Sequence, residues 1–155
     1  MSAYKVYQLC LDKGLTIAFA ESMTGGGACH EMVLIPGASK VVLGGMIVYQ
    51  NELKQSWLDV PSELIETYGV VSEPVSQMMA FQITQKTGAK IGVGITGNAG
   101  PTVQDDKTGL SCYISIWYKE KYEDIQLVFE NLNREEAIEL TIETTYQKLA
   151  EILSF

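Results

Sequence analysis

Three short apolar runs, each followed by small or polar residues, constrain the fold of this chain most strongly. The runs cover residues 15–20, 41–49 and 91–96. Runs of this length that are bounded by turn residues indicate strands, and the compact first run is interpreted as a buried one. The first run leads through a glycine-rich turn into a helical stretch at residues 28–34. Strand, small-residue turn and helix is the order in which α/β folds place binding sites, at the carboxyl end of a strand.

The rest of the chain shows the periodicity of helices and of two further strands. Asn51 is expected to cap a short helix that carries Lys54, and Gly44 with Gly45 indicates a bulge or a close backbone approach in the second strand. Further helices are predicted over residues 1–13, 62–68, 72–86 and 133–153, and further strands over residues 110–118 and 124–130, with a hairpin turn at 119–121. We therefore expect an α/β fold, a single layered domain over residues 1–155 with a mixed β-sheet flanked by helices.

Composition excludes several classes of function. A chain of 155 residues that is 46% hydrophobic can bury a core of its own, and 19% charged residues is too low for a disordered chain. The formal net charge of −8 repels phosphodiester backbones, so nucleic acid is not an expected partner. A small anionic substrate would need a pocket whose local field is positive.

The cysteines and the N-terminus indicate a cytoplasmic protein. Cys10, Cys29 and Cys112 are odd in number and far apart, which argues against a disulfide framework or a zinc pair. The first residues contain Lys5 and Asp12 and no apolar signal-peptide core. No run approaches the length of a transmembrane helix, so no membrane association is expected.

Three segments at the predicted strand exits form a candidate acyl-transfer site when taken together. They cover residues 21–26, 49–54 and 96–101. Ser22 is predicted at the start of a helix, where free N–H groups stabilise a developing oxyanion. The glycines at 25–27 are expected to leave that helix start open to an anion such as phosphate.

A serine hydroxyl needs a base to become a nucleophile, and Lys54 is the candidate. A lysine acts as a base only if burial or a nearby cation lowers its pKa from about 10.4 towards about 7–8, and Lys54 is expected to be partly shielded by the apolar strand that it follows. Tyr49 is expected either to orient Lys54 or to relay its proton, and Lys54 Nζ is expected to come within hydrogen-bonding reach of Ser22 Oγ. His30, the one histidine, is predicted about a turn and a half into the helix and is interpreted as structural or exposed.

Neither a metal nor a cofactor is expected. A single histidine cannot build a histidine-rich catalytic zinc site. Asp105 and Asp106 lie in a polar loop at residues 102–108 and are interpreted as solvated. The glycine-rich segments match neither the dinucleotide fingerprint nor the Walker pattern. A purely structural interpretation also stays open, with Ser22 as a helix cap, Lys54 on the surface and the glycines as turns.

The three segments resemble motifs of a known family. AESMTGG resembles the AESCTGG signature of the CinA C-terminal domain, which is also found as stand-alone nicotinamide-nucleotide amidases. IPGASKVV, VYQNELK, VPSELIETYGVVSEPV and GITGNAGP follow in the family's order. The resemblance extends from about Leu15 to Arg134 and implies the family's fold.

The resemblance implies hydrolysis of nicotinamide mononucleotide to nicotinic acid mononucleotide and ammonia, without a cofactor. It implies Ser22 as nucleophile, Lys54 as general base and Tyr49 as support for the lysine. The partner is then a small pyridine nucleotide, and a homo-oligomer is expected through Trp57, Trp117 and the last helix. The resemblance assigns substrate binding to Glu21, Thr24, Gly25, Gly26, Asn51, Thr96, Gly97, Ala99, Gly100 and Arg134.

Some positions depart from the family pattern. Met23 replaces a cysteine, Asn98 replaces an apolar residue, and Gly44 stands where the family often has arginine. The loop at 102–108 lacks the family's glycine pair, and Arg134 is expected to compensate in part. These differences leave two alternatives open: hydrolysis of another small amide, or a diverged nucleotide-binding or regulatory module without turnover.

Overall fold

A computed structural model describes residues 2–101 and 110–155 of the chain. The predicted polar loop at 102–108, with Asp105 and Asp106, lies outside these described residues. The described helices are α1 (Ser2–Lys13), α2 (Gly27–Val33), α3 (Asn51–Leu58), α4 (Ser62–Tyr68), α5 (Glu73–Thr87) and α6 (Arg134–Leu153). The described strands are β1 (Ile17–Glu21), β2 (Val42–Ile47), β3 (Ile91–Gly97), β4 (Ser111–Tyr118) and β5 (Lys121–Val128), and a 3₁₀ turn covers Ala38–Lys40.

The five described strands form one mixed sheet in the order β2-β1-β3-β4-β5. Strand β1 runs parallel to β2 and β3, whereas β3–β4 and β4–β5 are antiparallel pairs. Every residue of β1 and β3 is buried. These are the first and third apolar runs of the sequence, and both are interior strands of the sheet, which explains why they show no polar alternation.

Helices cover both faces of the sheet. Ile17 and Phe19 of β1 pack in a core with residues of α1, α2 and α6. Ala18 and Ala20 pack in a second core with residues of α3 and α5. Because side chains alternate along a strand, one strand supplies both cores. The predicted α/β fold with a mixed sheet flanked by helices is confirmed.

The crossovers open a crevice at the carboxyl ends of β1 and β2. The chain leaving β1 enters α2 on one face of the sheet, and the chain leaving β2 enters α3 on the other face. Adjacent parallel strands whose connections depart to opposite faces leave a gap between them, where α/β folds bind ligands. The first two of the predicted site segments therefore border this gap.

The glycine pair in β2 behaves as predicted. Ile17 pairs with Val42 and Ala18 with Gly44, so Leu43 is an extra residue and the strand has a bulge. A Cβ on Gly45 would lie 2.8 Å from the carbonyl oxygen of Phe19. A larger residue at Gly45 would therefore push β2 away from β1 and widen the crevice.

Two local predictions are wrong. Asn51 does not cap α3, because Gln50 has the extended backbone of an N-cap residue and Asn51 is the first helical residue. Strand β5 begins at Lys121 rather than at 124, because Lys119 and Glu120 alone form the turn, with φ values of 53° and 61°. Two consecutive positive φ values are the signature of a tight two-residue hairpin.

The surfaces expected to support self-association differ in exposure. Trp57 is 50% exposed, whereas Trp117 packs edge-on against Phe81 and against Tyr122. Self-association itself stays a prediction. Among residues 2–101 and 110–155, no helix has the length and apolar character needed to cross a membrane.

Candidate active site

Ser22 is held at the end of β1, in the middle of the parallel strands. Its backbone N–H donates to the carbonyl of Ile95 (3.1 Å), and Val48 N–H donates to the carbonyl of Glu21 (2.8 Å). The ladder thus continues one residue beyond β1. Alternation then directs the Ser22 side chain to the same face as Ala20, which is the face that α3 covers. Ser22 is buried, with 5% of its surface exposed.

Lys54 is a buried amine without a charged partner. It is 1% exposed, and Nζ donates to the carbonyl oxygens of Val48 (2.9 Å) and Tyr49 (3.1 Å). Among the described residues, no carboxylate lies within ion-pair distance of it. Burial alone lowers its pKa to about 8. A neutral amine has two N–H groups, which these two carbonyls satisfy, and its lone pair remains free to accept a proton.

The ladder brings Lys54 to the serine. In a pair of parallel strands, one residue bonds to two residues of the neighbouring strand. Its N–H bonds to the residue before its partner, and its carbonyl is directed to the residue after its partner. Since the amide of Val48 bonds to Glu21, its carbonyl is directed to the segment just after Ser22. The amine bound to that carbonyl therefore lies at the end of the ladder, near the segment that follows Ser22. The direct hydrogen bond expected between Lys54 Nζ and Ser22 Oγ is nevertheless not formed, because the amine is satisfied by the two carbonyls.

A cavity of about 170 Å³ opens at this edge of the sheet. It combines the exit of β1 with the exit of β3 and the first turn of α6, so it brings together residues that are far apart in the sequence. The lining residues are Ser22, Met23, Tyr49, Gly97, Asn98, Ala99, Gly100 and Arg134. Six of these eight were predicted as site residues.

Arg134 joins two of the predicted segments. Its guanidinium donates to the carbonyl of Gly100 (Nη1, 2.8 Å) and to the hydroxyl of Tyr49 (Nη2, 2.7 Å). Tyr49 thus serves Lys54 through its backbone carbonyl and Arg134 through its hydroxyl. A guanidinium has five N–H groups, so Arg134 retains donors for a ligand in the cavity.

The predicted open helix start at Ser22 is wrong. Helix α2 begins at Gly27, five residues after Ser22. The carboxylate of Glu21 already accepts the N–H groups of Ala28 and Cys29, both at 2.9 Å. An anion such as phosphate would have to displace this carboxylate, so the start of α2 is not a phosphate site.

Four predicted substrate-binding residues belong to this turn instead. Glu21 is 1% exposed and its Oε1 also accepts the Thr24 hydroxyl at 2.6 Å. Gly25 and Gly26 have φ values of 59° and 96°, a conformation that glycine adopts without strain. None of the four lines the cavity. Their side chains and backbone shape the turn that carries Ser22.

Besides Lys54, which does not line the cavity, two further predicted residues lie outside the cavity lining. The Thr96 hydroxyl donates to the carbonyl of Val70 at 2.9 Å, and the residue is 1% exposed. Thr96 therefore ties β3 to the loop before α5. Asn51 is exposed at the start of α3. Neither is placed to touch a ligand in the cavity.

Met23 and Asn98 were missed as lining residues. Met23 is 4% exposed, and a Cβ on Gly97 would lie 2.5 Å from its sulfur, so the two exits pack tightly together. Asn98 accepts the N–H of Gly100 at 2.9 Å through its side chain. Both residues are sequence neighbours of predicted site residues, and this adjacency was the signal that could have identified them.

His30 is exposed on α2, so it is not placed as a base for Ser22. Within residues 2–101 and 110–155, no group of three His, Cys, Asp or Glu side chains lies close enough together to hold a metal ion. The side chains that line the cavity supply the hydroxyls of Ser22 and Tyr49, the amide of Asn98 and the guanidinium of Arg134.

The sequence matches known proteins over nearly its full length. A sequence model of the family described as CinA C-terminal domain matches residues 2–153. A CinA-like protein of Gemmatimonas aurantiaca is 50% identical over 92 residues, which are 59% of this chain and 22% of that protein. A CinA-like protein of Cytophaga hutchinsonii is 38% identical over 139 residues, which are 89% of this chain and 33% of that protein. The chain thus spans between about a fifth and a third of the length of these relatives.

Solved structures share the fold. The competence/damage inducible protein CihA from Agrobacterium tumefaciens superposes with a TM-score of 0.93 at 26% identity, covering 99% of this chain and 94% of that chain. A competence-damaged protein (CinA) superfamily protein from Klebsiella pneumoniae superposes with a TM-score of 0.95 at 23% identity, covering 99% of this chain and 96% of that chain. Together with the matched family model, these similarities show that the chain belongs to the CinA C-terminal domain family.

Proposed function

We propose that this chain is an amidohydrolase that cleaves the carboxamide of a nicotinamide nucleotide with Ser22 and Lys54. The observation that carries the proposal is the state of Lys54. Its amine is 1% exposed, it has two carbonyl partners and no carboxylate among the described residues, and burial lowers its pKa to about 8. A surface lysine would show none of these features, and a structural buried lysine is expected to pair with a carboxylate.

The lowered pKa makes Lys54 a usable base near neutral pH. With a pKa of about 8, roughly one molecule in ten carries the neutral amine at pH 7, compared with fewer than about one in a thousand for an ordinary lysine. The neutral form keeps its two N–H donors on Val48 and Tyr49 and offers the lone pair to the Ser22 hydroxyl. The direct contact that is not formed in the free protein would form when substrate binds.

The reaction then has two halves. Ser22 Oγ attacks the carboxamide carbon while Lys54 accepts the hydroxyl proton. Collapse of the tetrahedral intermediate breaks the C–N bond, Lys54 returns the proton to the leaving nitrogen, and ammonia departs from an acyl-serine. Water then attacks this ester with Lys54 again as base, which releases the carboxylate product and restores Ser22.

The cavity supports a substrate with an aromatic amide and an anionic group. Its volume of about 170 Å³ is below the range of about 300–1,000 Å³ that is typical for a drug-sized ligand. It suits a single ring with its carboxamide, and the ribose phosphate would extend towards solvent. Arg134 is the positively charged residue among those that line the cavity, in a chain of net charge −8, and it would bind the phosphate.

Ammonia release from nicotinamide mononucleotide tests the proposal. We expect wild type to release ammonia, and Ser22→Ala and Lys54→Ala to lose this activity. Matched controls are Ser56→Ala, an exposed serine on the helix of Lys54, and Lys40→Ala, an exposed lysine. Both controls should keep the wild-type rate. No ammonia from wild type at high enzyme concentration would refute the proposal.

One observation favours a second candidate function, a nucleotide-binding module without turnover. Lys54 Nζ donates to two backbone carbonyls and not to Ser22, so the pair is not preassembled. This candidate predicts that calorimetry detects nucleotide binding to wild type and to Ser22→Ala with equal affinity, and that neither protein releases ammonia.

A further inference from the structure

Glu21 is a buried carboxylate for which the proposed reaction has no use. It is the last residue of β1, immediately before Ser22, and it is 1% exposed. Among the described residues, no cation lies within ion-pair distance of it. Removing a carboxylate from water is costly unless it is hydrogen-bonded. Its three donors are Thr24 Oγ1, Ala28 N and Cys29 N, at 2.6, 2.9 and 2.9 Å.

These bonds close the segment that carries Ser22 into a fixed turn. Gly25 N–H donates to the carbonyl of Ser22 (3.0 Å), and Gly27 N–H donates to the carbonyl of Thr24 (2.9 Å). The Glu21 carboxylate spans this turn, since it bonds to Thr24 in the turn and to the first residues of α2. A segment with three consecutive glycines has high conformational entropy when unconstrained. The carboxylate supplies the constraint.

Glu21 acts from the opposite face of the sheet to the serine. Adjacent residues on a strand point to opposite faces, so Glu21 points towards α2 and Ser22 towards α3. Glu21 does not line the cavity. Its effect on the reaction must therefore pass through the backbone of the turn.

Helix α2 is itself anchored to the element that carries Arg134. The Tyr146 hydroxyl of α6 donates to the carbonyl of Ala28, the residue whose N–H bonds to Glu21. Arg134 is the first residue of α6. The Glu21 carboxylate thus ties the serine turn to a helix that is fixed relative to the guanidinium of the cavity.

We propose that Glu21 is a positioning residue, whose carboxylate holds the Ser22 turn in the geometry for attack on the amide. This inference rests on the proposed function. Glu21→Gln keeps the size of the side chain but replaces one acceptor oxygen with an NH₂ group, which cannot accept the N–H groups of α2. We expect kcat to fall by about 10²-fold, as displacement of a reacting group by about 1 Å does. KM should stay within about twofold, because the cavity lining is unchanged.

A pair of variants at Thr24 tests the same bond with less risk to folding. Thr24→Val has the same shape without the hydroxyl, and Thr24→Ser retains the hydroxyl. We expect Thr24→Val to lower kcat and Thr24→Ser to preserve it. Ile83→Val, a buried change in the other core, controls for general loss of stability and should leave kcat unchanged.

The rate at which a fluorophosphonate labels Ser22 provides a second readout that does not depend on amide turnover. The proposal predicts slower labelling in Glu21→Gln and Thr24→Val than in wild type. If wild type is labelled at Ser22 but releases no ammonia, the amidase function fails while the labelling rates still decide the role of Glu21. Folded Glu21→Gln with wild-type kcat and labelling, equal losses in Thr24→Ser and Thr24→Val, or no labelling of Ser22 in wild type would each overturn the inference.

Discussion

The exits of β1 and β2 each bury an ionisable side chain, and the two are satisfied in opposite ways. Glu21 receives three donors from its own turn and helix, which is what a carboxylate requires. Lys54 has two neutral carbonyl acceptors and no carboxylate among the described residues. Two carbonyls match a neutral amine better than an ammonium group, which has a third N–H to satisfy.

The difference separates a structural role from a chemical one. The three hydrogen bonds of the Glu21 carboxylate stabilise one backbone conformation. The Lys54 amine has acceptors for only two N–H groups, and burial lowers its pKa, so it can exchange a proton. Ser22 follows Glu21 directly in the chain, and its hydroxyl lines the cavity. The following predictions test this division, beginning with the largest effect.

Lys54→Arg should remove activity by at least about 10³-fold, because arginine stays protonated and cannot act as a base. Ammonia release measures the loss. Lys54→Met serves as a second variant of similar length in case the guanidinium does not fit. An arginine variant with more than a tenth of wild-type activity would contradict the assignment of the base.

The rate should rise with pH through the pKa of Lys54. Since the neutral amine is the active form and its pKa is about 8, the rate at pH 8 should exceed that at pH 6 by about 50-fold and then level off. Glu21→Gln should keep the same midpoint at a lower rate, because its carboxylate lies on the other face. If Glu21→Gln shifts the midpoint of the pH profile, Glu21 affects the pKa of Lys54, and its positioning role is not separate from proton transfer.

The same pKa predicts how stability depends on pH. Below about pH 8 the amine is protonated in both states, and burial of the charge destabilises the folded protein by about 3 kcal/mol. Between about pH 8 and 10.5 the folded state has lost the proton that the unfolded state retains, so this penalty disappears as pH rises. Denaturant unfolding of wild type and Lys54→Met should show an advantage of the variant at pH 7 that shrinks towards pH 10. A constant difference would contradict the burial of a charged amine.

Tyr49→Phe should have the smallest effect. The hydroxyl bonds to Arg134, and the backbone carbonyl that bonds to Lys54 is retained. We therefore expect KM for the nucleotide to rise by about three- to tenfold, because an exposed charge-assisted hydrogen bond is lost, with the pH midpoint unchanged. A shift of the midpoint would show that the hydroxyl acts on Lys54 after all.

The order of helices and strands was readable from the sequence because it depends on local patterns. Apolar runs of strand length became β1, β2 and β3, and the glycine pair became a bulge. Partial shielding of Lys54 was also predictable because it follows an apolar strand, whereas its burial to 1% exposure was not. These features depend on neighbours within a few residues.

The site residues were predicted less completely, because a motif does not show which atoms meet. Glu21 and Thr24 are part of the same motif as Ser22, yet they shape the turn rather than line the cavity. The Thr96 hydroxyl donates its hydrogen bond to the carbonyl of Val70, which is 26 residues away in the sequence. The sequence shows that a hydroxyl or a carboxylate stands next to a predicted nucleophile. It does not show whether that group binds substrate or shapes the turn.

The sequence by itself determined the element order and the mixed α/β architecture, because propensity and periodicity act over short distances. The tertiary structure decided that the Glu21 carboxylate occupies the start of α2, that Arg134 bridges Gly100 and Tyr49, and that Val48 bonds to Glu21 through its N–H and to Lys54 through its carbonyl. These contacts join segments between 7 and 85 residues apart, and their partners are selected by strand register and helix packing rather than by local pattern.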